Sequence, residues 1–191
     1  MSTLPPPASV LLLIDLQKAI DHPSWGPRNN PQAEANIARL LAHWRQHRWP
    51  VWHVRHDSLS PTSHYRPGQP GHDFKPETAP LPDELVIAKR TNSAFIGTDL
   101  DARLLTGRHP ALVVVGVVTN NSVEATVRMA GNLGFTTFLV EDGCFTFGLR
   151  DWNRVKRTAE EVHAFTLANL NGEYCTITTT AAVLGAGEGI A

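Results

Sequence analysis

The sequence predicts an α/β fold, a doubly wound three-layer α/β/α arrangement around a mainly parallel six-stranded sheet. Continuous apolar runs alternate with stretches whose apolar residues recur at helical spacing, the pattern of a parallel sheet covered on both faces. The length of 191 residues suits one compact domain, since domains span roughly 50 to 250 residues. Neither an internal repeat nor a linker divides residues 1–191.

Ser9 to Leu16 is apolar throughout and reads as a strand buried on both faces. Asn30-Pro31 reads as an N-cap followed by Pro at the first helical position. Ile37, Leu40, Leu41 and Trp44 then form the inward stripe of the helix. Val51 to Arg55 is the second strand, and His56 to Pro82 is a long loop rich in Pro, Gly, Ser and His. Loops of that length usually serve binding or closure.

Glu84 to Ala88 is the third strand; Thr98 and Asp101 suit the cap of a helix with Leu100, Leu104 and Leu105 inward. Ala111 to Val118, the longest apolar run, is the central strand. A helix follows over Ser122 to Leu133, with Val123, Thr126, Val127 and Ala130 inward and Gly134 at its end. Thr136 to Val140 is the fifth strand. Asp151 caps a last long helix with Val155, Ala159, Val162 and Phe165 inward, and Thr176 to Thr180 is the sixth strand. Right-handed crossovers then give the strand order 3-2-1-4-5-6.

Composition excludes several classes. With 17 basic and 18 acidic side chains the net charge is −1, so the footprint of a dedicated nucleic-acid binder is missing. The apolar run from Val10 stops at Asp15, too short for a membrane span or signal peptide. Only Cys144 and Cys175 are present, too few for a disulfide framework and in keeping with a reducing, cytoplasmic setting. No GxGxxG follows the first strand, so no dinucleotide cofactor is expected.

In doubly wound sheets ligands bind beyond the carboxyl ends of the strands, where the order reverses. Three polar residues stand at those ends: Asp15, Lys89 and Ser122. Asp15 is either a turn cap or an acid–base group, because burying a carboxylate uncompensated costs several kcal/mol. The Lys89 stem either snorkels to solvent or reaches Asp15, where its ammonium would hold the carboxylate ionised. Ser122 is either a helix cap or a nucleophile facing helix amides able to bind an oxyanion.

Three stretches resemble the isochorismatase-like hydrolase superfamily, also called the cysteine hydrolases. They are Leu11–Gln17, then Glu84–Phe95 with Thr98 and Leu100, then Gly116–Thr126 continuing to Gly134. The likeness covers roughly residues 8–182. It implies that Asp15 is the general acid/base, that Lys89 is the catalytic lysine, and that Val117-Val118 is joined by a non-proline cis peptide. The amides of Val118 and residue 122 would then form an oxyanion hole. It also implies a small-molecule substrate and a homodimer or homotetramer.

The chain departs from that family at position 122, where most members carry the nucleophilic cysteine and this one has serine. A thiol is partly ionised near neutrality, whereas a hydroxyl needs a positioned base. No histidine is placed by motif to complete a Ser-His-Asp triad. Three readings stay open: amide-type or ester hydrolysis by Ser122, vinyl-ether hydrolysis with Asp15 as proton donor, and binding without turnover. Cys144, read as lying just beyond the fifth strand, is either a packing residue or a substitute nucleophile.

Nicotinamidases of the superfamily hold a divalent ion through a compact Asp-x-His cluster with a further His. His53, His56, Asp57, His64 and His72 lack that spacing, so no metal is expected. Position suggests Trp25, Phe95, Phe147 and Trp152 as pocket walls, with His56 and Tyr65 as polar contacts. Trp49 and Trp52, read as exposed, would suit an interface between subunits.

Overall fold

The computed structural model describes residues 4–185; the ends of the 1–191 domain assignment lie outside them. Six strands form one sheet in the order β3-β2-β1-β4-β5-β8, and every neighbouring pair runs parallel. They are β1 (Val10–Ile14), β2 (Val51–His56), β3 (Leu85–Lys89), β4 (Leu112–Val117), β5 (Thr137–Phe145) and β8 (Thr176–Thr178). The expected fold and strand order are therefore those of the molecule.

Continuous apolar strands follow from helices on both faces. On β1, Leu11 and Leu13 pack in one core cluster, whereas Val10, Leu12 and Ile14 pack in the other. The first cluster includes residues of α1 (Ala33–Gln46) and α5 (Thr180–Gly185); the second includes those of α2 (Leu100–Gly107), α3 (Glu124–Asn132) and α4 (Ala159–Leu170). Alternate side chains of one strand thus serve opposite layers, so no position on it tolerates a polar residue cheaply.

Several caps differ from expectation because tertiary partners outbid local ones. Asn30 does not cap α1, which starts at Ala33. It adopts φ 44°, and its amide donates to the Glu141 and Cys144 carbonyls at 2.8 and 2.7 Å. Thr98 likewise donates to the Ala94 carbonyl, while Asp99 precedes α2 and Leu105 is exposed. Asp151 caps no helix. It holds the turn of a hairpin between β6 (Leu149–Arg150) and β7 (Lys156–Arg157), accepting from the Asn153 and Val155 amides and from Arg157. A capping box of Thr158 and Glu161 starts α4 instead, so Val155 and Phe165 face solvent.

Two differences bear on the site. β5 runs on past Val140 to Phe145, shifting register against β4 between Val114 and Gly116, so Cys144 lies within the strand opposite Gly116. A π-turn, Thr119–Val123, intervenes between β4 and α3, which begins at Glu124 instead of Ser122. Trp52 is buried and Trp49 partly so, which removes that pair as an exposed surface.

Candidate active site

The carboxyl ends of β1, β2, β3 and β4 converge on one cavity of about 380 Å³. Asp15 leaves β1 with φ 54°, a left-handed conformation that Asp tolerates better than most residues. Gly116 makes that exit possible. It pairs with Ile14 at φ 126°, and a Cβ there would lie 2.2 Å from the Ile14 carbonyl oxygen.

Lys89 is the last residue of β3, with β2 separating it from β1. Its stem crosses that strand, and Nζ donates to Asp15 Oδ2 at 2.7 Å, to the Thr91 carbonyl at 3.0 Å and to Ser122 Oγ at 3.2 Å. These three acceptors match the three hydrogens of an ammonium, and His56 Nδ1 stands farther off at 3.5 Å. The snorkelling alternative is thereby overturned, since the Lys89 side chain is fully buried.

Burial pushes the Asp15 carboxyl above its ordinary range, with Lys89, Ser122 and His56 pulling the other way. The Lys89 ammonium offsets part of that desolvation. Asp15 Oδ1 is buried and makes no hydrogen bond, an unused acceptor on the carboxyl that Lys89 links to Ser122.

Ser122 sits in the π-turn, and neighbouring layers hold that turn. The Thr126 hydroxyl donates to the Ser122 carbonyl at 2.7 Å and accepts from the Ala94 amide at 3.0 Å. Thr119 Oγ1 meets His163 Nδ1 of α4 at 2.9 Å, and Thr146 donates to the Asn120 side chain. The peptide joining Val117 to Val118 is cis. Both residues line the cavity with Asp15 and Ser122.

Of the expected walls, Trp25 and His56 line the cavity, as does Tyr65. Phe147 stands behind Trp25, its ring stacked on the indole at 5.4 Å. Phe95 belongs to the core, stacked on Phe135 at 5.9 Å, because its loop is tied down by the Ala94–Thr126 bond. Trp152 is 91% exposed at the hairpin turn, away from the lining. Cys144 is fully buried, and burial drives its thiol upward, which removes it as a nucleophile.

The histidines and Asp57 serve different partners: His53 of β2 pairs with Glu84 at 2.9 Å, and His72 of the long loop with Asp57 at 2.7 Å. Among the described residues no three of His, Cys, Asp or Glu are grouped as metal ligands. Nor is any described helix long and apolar enough to cross a membrane.

A sequence profile of the Isochorismatase domain matches residues 9–182. The chain belongs to the isochorismatase family. A crystal structure of an isochorismatase-family protein from Chromobacterium violaceum superposes with a TM-score of 0.93 at 61% identity, covering 95% of this chain and 94% of that one. The isochorismatase family protein YrdC of Bacillus subtilis is 41% identical over 89% of this chain and 91% of its own length. Nicotinamidase 3 of Arabidopsis thaliana is 31% identical, over 85% and 80% respectively.

This isochorismatase-family cavity also draws on residues that sequence reasoning passed over. Asn92 and Asn121 stand on its exposed rim, with Ser24 and His64 nearby. Gln17 acts from behind. It is fully buried, accepts from the His56 amide at 2.7 Å and donates to the His56 and His72 carbonyls at 3.2 and 2.9 Å. A glutamine ending an apolar strand was the available signal, since its amide must find partners.

Proposed function

We propose that the chain hydrolyses a small amide-type or ester bond through Ser122, with Asp15 and Lys89 handling protons. The observation that supports this best is Lys89 bridging Asp15 Oδ2 and Ser122 Oγ at the cavity floor. Ser122 Oγ attacks the carbonyl carbon, and its proton passes to Asp15 Oδ1. The tetrahedral oxyanion is held by the amides of Val118 and Ser122. Asp15 then protonates the leaving nitrogen or oxygen as its bond to carbon breaks. Water, deprotonated by Asp15, hydrolyses the acyl-serine and restores the site.

The raised Asp15 carboxyl suits both halves of that cycle, because a base that must return its proton works best with its pKa moved toward neutrality. The same observation favours a second reading, vinyl-ether hydrolysis, in which Asp15 donates a proton to carbon and Ser122 is dispensable. Turnover of Ser122→Ala and Ser122→Cys against amide, ester and vinyl-ether substrates separates the two. Carbonyl hydrolysis predicts loss in the first variant and gain on amides in the second. Vinyl-ether chemistry predicts indifference to both. A homodimer or homotetramer in the cytoplasm completes this reading, on the strength of the family likeness and the two buried free thiols.

A further inference from the structure

We infer that the cavity selects an uncharged carbonyl compound and rejects ionised ones. This deepens the hydrolase reading and rests on it only for the carbonyl.

Among the described residues the lining holds no arginine or lysine. The one ammonium beneath it, Lys89, has its three hydrogens engaged by Asp15, Thr91 and Ser122. A substrate carboxylate would therefore lose water and meet no free cation, a cost that neutral donors repay poorly. A substrate cation fares no better, since Asp15 is the lining's single carboxylate and is already paired.

Besides the imidazoles of His56 and His64, what the lining offers is neutral. The side-chain amides of Asn92 and Asn121 make no hydrogen bond with the described residues, and each supplies donors and an acceptor. Trp25 supplies a fixed flat wall: its Nε1 donates to the Ala19 carbonyl at 3.0 Å and its ring is backed by Phe147. A compact polar but uncharged body matches both features.

The test is calorimetric titration of the full chain with benzamide, para-carbamoylbenzoate and para-(aminomethyl)benzamide at about pH 8, where ordinary imidazoles are neutral. Benzamide is expected to bind at least about 100-fold more tightly than either charged partner. Asn92→Arg or Asn121→Arg is expected to recover at least about tenfold of the loss for para-carbamoylbenzoate. Equal or tighter binding of a charged probe, no binding of benzamide, or unchanged discrimination in both arginine variants overturns the inference. Hydrolysis is followed on the same probes. A neutral preference without cleavage counts against the Ser122 reading and leaves this inference standing; cleavage favouring a charged probe does the reverse.

Discussion

Lys89 Nζ lies 2.7 Å from Asp15 Oδ2, and the two side chains are 0% and 6% exposed. A sealed pair of this kind is asymmetric, because its formation repays little more than the desolvation it requires, whereas losing one partner leaves a charge uncompensated.

Lys89→Met should therefore lower unfolding stability by about 3 kcal/mol, and Asp15→Asn added to it should recover part of that loss. Denaturant titration of the two single variants and the double variant supplies the cycle. Additive losses would mean that the pair is not coupled.

Glu84 anchors the other end of the sheet. Burial alone raises its carboxyl, but Arg45, the Leu81 amide and His53 override that and bring it from 4.5 to about 2. Its folded value lies below its unfolded one, so its stabilisation is full above about pH 4.5 and fades as pH falls toward about 2. Glu84→Gln should cost about 2–3 kcal/mol at neutral pH and flatten the acid limb of the stability curve. A variant with an unchanged acid limb would assign the acid sensitivity elsewhere, with Glu34, also brought to about 2, the next carboxylate to substitute.

Gly116→Ala should cost about 3 kcal/mol, since the new Cβ meets the Ile14 backbone at 2.2 Å in a conformation few L-residues adopt. Because Ile14 precedes Asp15, turnover should fall further than the thermal midpoint implies. Calorimetry and steady-state rates on one preparation separate the two effects.

Gln17→Leu leaves the His56 amide and the His56 and His72 carbonyls without a buried partner. The expected cost is about 1–3 kcal/mol, with faster amide exchange over residues 56–75 and a higher KM. Unchanged exchange would show that the loop is held by its other contacts.

Sequence reading placed the strands well because parallel strands buried on both faces write themselves as apolar runs, as Leu112–Val117 does. Asp15 and Lys89 stood out as polar residues closing such runs, and the structure joins both to Ser122 in the turn after Val117. It failed where distant partners decide. Nothing local to Asn30 announces the Glu141 and Cys144 carbonyls, and the hairpin that exposes Trp152 resembles a helix start until Thr158 is seen to do the capping. Phe95 and Phe147 carry no mark separating a core ring from a wall. Trp152→Ala should accordingly leave stability within about 0.5 kcal/mol, whereas Phe95→Ala should cost about 3 kcal/mol or more.

The most direct test of the account is mass spectrometry of the chain quenched during turnover of an activated aryl ester, followed by peptide mapping. One acyl group per chain is expected, located on Ser122 and absent from Ser122→Ala. Turnover with no acylated species, or an adduct that persists in Ser122→Ala, would contradict it.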